Sequence, residues 1–252
     1  MTVTLAATLL LSVLIGLSLG LLGGGGSILT VPILTYVAGM SPREAIASSL
    51  FVVGVTSAFS AAGHARRGRV KWRTGLLFGA AGMAGAFGGG LLGGRIPGAV
   101  LMVAFALMMI ATSVAMIRGR RGGTLESHSK ELPVGKVIVE GLAVGLVTGL
   151  VGAGGGFLVV PALALLGGLS MPVAVGTSLV VISLKSFAGL AGYLTTVSLD
   201  WALVGSVTAA AVVGSLIGSR LVGRIPEAAL RRGFGFFVLA MGIFVLAMEL
   251  LP

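Results

Sequence analysis

One lysine lies deep within an apolar part of the sequence. Lys185 is surrounded by apolar and small residues from 173 to 194, a stretch long enough to cross a bilayer. An ammonium group is costly in hydrocarbon and usually serves ligand binding or transport there. No Asp or Glu occurs in the same stretch, so we expect an anion as its partner. A long stem that reaches back to the membrane interface is the alternative.

Hydroxyl side chains accompany this lysine at helical spacing. Ser178 lies seven residues before Lys185, which is two turns away on the same face of a helix. Ser49 and Thr56 repeat this spacing in the first half of the chain. Hydroxyl groups donate hydrogen bonds to anions, although they also pack membrane helices together. The predicted binding side chains are Ser48, Ser49, Thr56, Thr177, Ser178 and Lys185.

Two glycine runs interrupt the apolar sequence at matching places. The first is GLLGGGGSILTVP, residues 20–32, and the second is GLVGAGGGFLVVP, residues 149–161. A helix that restarts after such a break exposes unpaired N–H groups and a positive dipole end, and such ends bind anions. We expect the two ends to face each other near the bilayer centre, a tight turn without a ligand being the alternative. The predicted binding residues are Gly24, Gly25, Gly26, Ser27, Gly154, Gly155 and Gly156.

The glycine runs belong to a repeat that covers most of the chain. Residues that match at a constant separation of 129 include Gly20 and Gly149, Pro32 and Pro161, and Trp72 and Trp201. Such self-similarity indicates two copies of one unit. We therefore predict a first membrane unit over residues 1–117, a polar cytoplasmic linker over 118–133 and a second unit over 134–252.

The composition indicates a membrane protein. Of 252 residues, 56% are hydrophobic and only 10% are charged, whereas soluble domains carry about 25% charged residues. Each unit contains five apolar segments, of which the second is too short to span a bilayer alone. Short or glycine-interrupted segments at corresponding places in two halves indicate a transporter's binding site. We predict an all-helical polytopic membrane protein with a glycine break between the first two segments of each unit.

The basic residues predict how the two units are oriented. Loop 64–73 carries five Lys or Arg residues, and the matching loop 193–202 carries none. Cytoplasmic loops are enriched in Lys and Arg. If the second unit is inverted, 14 of the 17 Lys and Arg residues face the cytoplasm, two face outside and Lys185 lies within the membrane. Parallel units leave 10 inside and six outside. We therefore predict an inverted repeat with both termini outside the cytoplasm.

Several other functional classes fit the sequence poorly. The net charge of +10 comes from loop residues, so we expect no nucleic-acid partner. There is no cysteine, and His64 and His128 have no metal-ligand neighbours. No cluster of catalytic side chains lies in the spans, so we predict neither an enzyme nor a cofactor. The expected partners are a small anion and the lipid bilayer, and a homo-oligomer is left open.

These motifs resemble those of the sulfite exporter TauE/SafE family of membrane transporters. The resemblance rests on the two glycine-rich segments that end in proline, on ASSL at 47–50, on GTSLV at 176–180, and on GRIP at 94–97 and 223–226. It implies a protein that moves sulfite, thiosulfate, sulfonates or related organic anions across the cytoplasmic membrane, usually outward. We therefore predict a secondary transporter or facilitator that exports such anions. An anion channel and an importer of the same anions are the alternatives.

Overall fold

A computed structural model describes residues 2–22, 25–118, 134–152, 159–160, 163, 169, 171–221 and 227–250. All regular elements within these residues are helical. The longer helices are α1 (Thr2–Leu22), α3 (Pro42–Arg66), α4 (Trp72–Gly93), α5 (Gly98–Arg118), α6 (Val134–Val151), α7 (Met171–Tyr193), α8 (Trp201–Leu221) and α9 (Glu227–Leu250). Residues 25–37 form a short helical segment made of Gly25–Leu29, Thr30–Pro32 (α2) and Ile33–Val37.

Five of the described helices are long and apolar enough to cross a membrane, namely α1, α3, α4, α7 and α8. Large apolar side chains such as Leu10, Phe59 and Phe237 point outward from them and from α9, as lipid-facing residues do. The chain is therefore an integral, multi-pass membrane protein, and the predicted all-helical membrane fold is confirmed. The linker prediction falls largely on residues 119–133, which lie outside the described residues.

Helices α3 and α7 form the centre of the molecule. Of their spanning residues, 72% and 67% are buried, against 33–44% in the other three long apolar helices. They run antiparallel, because His64 lies beside Gly176 at one end and Leu50 beside Gly189 at the other. Between these contacts, the hydroxyl of Ser183 donates a hydrogen bond to the Gly54 carbonyl at 3.0 Å.

Glycines bring two further helix pairs into backbone contact. Helix α1 packs along α8, and α6 packs along α4. A methyl group added at Gly16 would overlap the Ala211 carbonyl, and one added at Gly145 would overlap the Gly82 carbonyl. Small residues allow such close approach between membrane helices. The α4–α6 pair packs against α7 through α4, and the α1–α8 pair packs against α3 through α8.

A helix ends directly before each glycine run, as the sequence predicts. Helix α1 ends at Leu22, and the chain is helical again from Gly25. Helix α6 ends at Val151, and Gly152 follows with a φ of +73°. Only glycine adopts this left-handed conformation without a steric penalty. The second run continues through residues 153–158, which lie outside the described residues.

Candidate anion-binding site

The Lys185 side chain is buried where α4, α6 and α7 meet. Only 1% of its surface is exposed, so its stem does not reach back to the interface. Its Nζ donates to the Thr148 hydroxyl on α6 across 3.5 Å, a long distance for a hydrogen bond. The stem passes over Gly82 of α4, where an added methyl group would lie 2.5 Å from Cδ.

This ammonium group lacks the partner that a buried charge requires. It carries three N–H donors, and within the described residues its hydrogen-bond acceptor is Thr148 alone. A buried charge is strongly destabilising unless an opposite charge or several hydrogen bonds compensate it. A small anion beside Nζ would supply both. The described residues hold no group of three His, Asp or Glu side chains that would bind a metal ion.

The carboxyl end of α6 is held by side chains from both central helices. The Tyr193 hydroxyl of α7 donates to the Leu150 carbonyl at 2.5 Å. The Ser49 hydroxyl of α3 donates to the Gly152 carbonyl at 2.6 Å. These contacts satisfy carbonyls that the end of a helix leaves unpaired. The structure therefore places Ser49, a predicted binding residue, at the second glycine run, where its hydroxyl is used by the backbone.

The other predicted hydroxyls have different surroundings. Thr56 donates to the Val52 carbonyl at 2.6 Å, and Ser178 donates to the Val175 carbonyl at 2.8 Å. Thr177 accepts a hydrogen bond from the backbone N–H of Lys71 at 3.0 Å. Ser48 is fully buried, and its hydroxyl has no partner among the described residues. Of these hydroxyls, Ser48 and Thr177 each keep an O–H group that donates to no acceptor among the described residues.

The structure does not bring Lys185 and Thr56 to one site. Lys185 faces α4 and α6. Ser60, one turn after Thr56 on the same face of α3, contacts Ser215 of α8 at 3.1 Å. The two central helices contact each other through a different face, which includes Gly54 and Ser183. Thr56 and Lys185 therefore face different helix pairs, while Ser49, seven residues before Thr56, reaches the end of α6.

The glycine runs are described only in part. Gly25 and Gly26 begin the turn Gly25–Leu29, and Ser27 is fully buried. Gly152 lies beside Ser49. Helices α3 and α7 cross at Gly54, and at 1.5 Å per residue Ser49 lies about 7 Å along α3 from that point. The helix break at Gly152 is therefore displaced from the point where α3 and α7 cross. The predicted binding residues Gly24, Gly154, Gly155 and Gly156 lie outside the described residues.

Further buried hydroxyls were not predicted from the sequence, and Thr30, in the segment after the first glycine run, is one that has no partner among the described residues. Ser57 and Ser186 are fully buried, and neither hydroxyl has a partner among the described residues. Ser186 lies at the α3–α7 contact, where its Cβ is 3.3 Å from a methyl group placed on Gly54. The two serines are 129 positions apart, and this repeat spacing was the signal that would have found them. Unpartnered buried hydroxyls are available to an entering ligand.

Comparisons with known proteins point to transport. A family model described as sulfite exporter TauE/SafE matches residues 8–245. The chain is 34% identical to a probable membrane transporter protein of Xylella fastidiosa, over 92% of this chain and 91% of that protein. It is 29% identical to a probable membrane transporter protein of Methanocaldococcus jannaschii, over 94% of each chain. No solved structure matches this chain.

Proposed function

We propose, from the premise that this chain belongs to the sulfite exporter TauE/SafE family, that it exports small sulfur-containing anions across the cytoplasmic membrane. Sulfite, thiosulfate and small sulfonates are the substrate class that we infer. The chain acts as a secondary transporter or facilitator, and the anion moves through the helix bundle beside Lys185.

The observation that carries this proposal is the buried Lys185 ammonium group. Its stem is enclosed by α4 and α6, and the hydroxyl of Thr148 is its hydrogen-bond acceptor within the described residues. An anion that reaches Nζ gains an unscreened attraction, because charges interact more strongly where water is excluded. The Thr148 hydroxyl donates to the Gly145 carbonyl at 3.1 Å, so its oxygen only accepts from Nζ. The other two N–H donors of Nζ are therefore the groups that would hold a small oxyanion.

We also propose that the two units are inverted repeats. Helices α3 and α7 occupy equivalent places in the repeat, and they cross antiparallel with Gly54 beside Ser183, its own equivalent residue. Inversion requires equivalent helices to run in opposite directions. The basic residues support the same arrangement, since inversion places 14 of the 17 in the cytoplasm. Rocking of one unit against the other would then expose the site to each side in turn.

The membrane potential favours export of an anion. An inside-negative potential contributes about 2.3 kcal/mol per charge for each 100 mV. The electrical gradient can therefore drive outward movement of a sulfur anion without ATP. In cells, loss of an exporter would increase the toxicity of sulfite or sulfonate, whereas loss of an importer would reduce growth on these compounds as a sulfur source.

The test is sulfite and thiosulfate efflux from proteoliposomes that contain the wild-type protein or Lys185→Met. Methionine keeps an unbranched stem and removes the charge, so we expect efflux to fall at least about tenfold while the protein stays folded. Lys71→Met is the matched control, because the Lys71 side chain is exposed. Equal efflux by Lys185→Met and wild type would refute the proposed site.

A second measurement separates a carrier from a channel. For a carrier that alternates between two sides, unlabelled sulfite outside the vesicles accelerates efflux of labelled sulfite from within. A fixed pore shows no such acceleration and gives single-channel currents instead. Saturable efflux with acceleration is the result that we expect.

A further inference from the structure

We propose that Gly82 positions the Lys185 ammonium group, so that the size of residue 82 sets the affinity for the anion. This inference rests on the proposed function, because it assigns a second residue to the same site. Gly82 belongs to a different helix from Lys185 and lies 103 positions before it in the chain. We class it as a positioning residue, since it acts on the anion through the lysine.

The geometry shows what a side chain at position 82 would displace. A methyl group there would lie 2.5 Å from Cδ and 2.9 Å from Cγ of Lys185. Its next neighbour is the carbonyl oxygen of Gly141, at an ordinary contact distance of 3.6 Å. The methyl group would therefore collide with the lysine stem and with no backbone atom. The stem would have to move, and Nζ would move with it.

The other half of the chain provides a natural comparison. Gly145 contacts the backbone of Gly82, and its repeat equivalent Gly16 contacts the backbone of Ala211. Ala211 is therefore the equivalent of Gly82, and the two helices approach closely although it carries a methyl group. Close helix approach thus does not by itself require glycine at position 82.

The residues that face Gly82 and its equivalent Ala211 also differ in size and polarity. Where the second half has Lys185, the first half has Thr56, a much shorter side chain. Where the second half has Thr148 as the acceptor for Nζ, the first half has Leu19, which has no polar group. Glycine at 82 and the hydroxyl at 148 thus occur together with the lysine. The space at Gly82 serves the lysine stem.

The main experiment compares Gly82→Ala with Gly79→Ala. The control lies one turn earlier on α4, where an added methyl group would be 2.9 Å from Cδ1 of Leu184. It therefore crowds the neighbouring apolar side chain of α7 by a similar amount. We measure KM and maximal rate for sulfite efflux in proteoliposomes. Because displacing a binding group by about 1 Å weakens its interaction strongly, we expect Gly82→Ala to raise KM about tenfold with little change in maximal rate.

A stability measurement keeps the inference testable if a variant transports poorly. Gly82→Ala is introduced into wild type and into Lys185→Ala, and the melting temperatures are compared as a double-mutant cycle. With the lysine present, the methyl group crowds its stem and we expect a lower melting temperature. Without the lysine, the same substitution should be neutral or stabilising, because alanine favours a helix over glycine.

The outcomes separate this inference from the proposed function. A KM in Gly82→Ala equal to that of Gly79→Ala, or an equal loss of melting temperature in both backgrounds, overturns the role of Gly82. If Lys185→Met also abolishes efflux in that case, the proposed function stands. Unchanged efflux by Lys185→Met instead overturns the proposed site, and a positioning role for Gly82 in anion binding falls with it.

Discussion

The structure contains two equivalent grooves that hold different side chains, one lined by α4, α6 and α7 and the other by α8, α1 and α3. In the groove of α4, α6 and α7, Lys185 extends between α4 and α6 and reaches Thr148. In the other groove, Thr56 holds the equivalent place and donates to the Val52 carbonyl of its own helix. One groove therefore contains a charge without a charged partner among the described residues, and the other contains a hydroxyl that is already satisfied. The equivalent positions differ in three places, Lys185 against Thr56, Thr148 against Leu19 and Gly82 against Ala211, and these differences give one groove its chemistry.

The largest predicted effect comes from placing a lysine at position 56, in the groove lined by α8, α1 and α3. Thr56→Lys introduces a charge at a fully buried position, and the equivalents of Gly82 and Thr148 there are Ala211 and Leu19. We expect a loss of about 3–5 kcal/mol, the usual cost of a buried unpaired charge. The measurement is the yield and melting temperature of the purified protein. Thr56→Val, which adds no charge, is the control, and equal stability of the two variants would contradict the comparison.

A smaller effect tests whether the two grooves share one backbone arrangement. Gly16→Ala and Gly145→Ala each place a methyl group against a carbonyl of the facing helix. Overpacking of this kind costs about 1–3 kcal/mol, and we expect similar losses of stability from both variants. Gly88→Ala is the control, since no atom lies within 4 Å of the added methyl group. If one variant were tolerated and the other were not, the grooves would not be equivalent.

The smallest predicted effect concerns the residues at the far ends of the central helices. Tyr193 donates to the Leu150 carbonyl, whereas its repeat equivalent, His64, is buried with both ring nitrogens unpartnered among the described residues. Tyr193→Phe loses a hydrogen bond, which contributes about 1 kcal/mol. His64→Phe removes two unpartnered ring nitrogens, so we expect the melting temperature of this variant to equal or exceed that of the wild type. Thermal unfolding in detergent compares the two, and an equal loss from both would show that His64 has a partner.

Local sequence signals predicted the elements well. The apolar segments predicted membrane-crossing helices, because about 20 apolar residues in a row suffice to span the hydrocarbon. The glycine runs predicted where α1 and α6 end, since the backbone freedom of glycine is a property of the residue itself. The burial of Lys185 also followed from its place within an apolar segment. Each of these inferences depends on residues that are close together in the chain.

The grouping of the site residues did not follow from such signals. Ser49 and Thr56 share a helical face with the same spacing as Ser178 and Lys185, which suggested one shared site. The packing of α3 against α7 directs Lys185 toward α4 and α6 but turns the part of α3 around Thr56 and Ser60 toward α8, and only Ser49 reaches the end of α6. Helical spacing defines a face, but it does not determine which distant helix covers that face.

By itself, the sequence determined that this protein is a helical membrane protein, that helices end at the glycine runs and that one lysine lies among apolar residues, and its 129-residue spacing predicts two related units. These features follow from hydrophobic length, repeat spacing and backbone freedom, which act locally. Only the tertiary structure decided that Lys185 lies against Gly82 and Thr148 and that Ser49 and Tyr193 hold the end of α6. Their partners come from helices far away in the chain, and those pairings depend on how the helices pack.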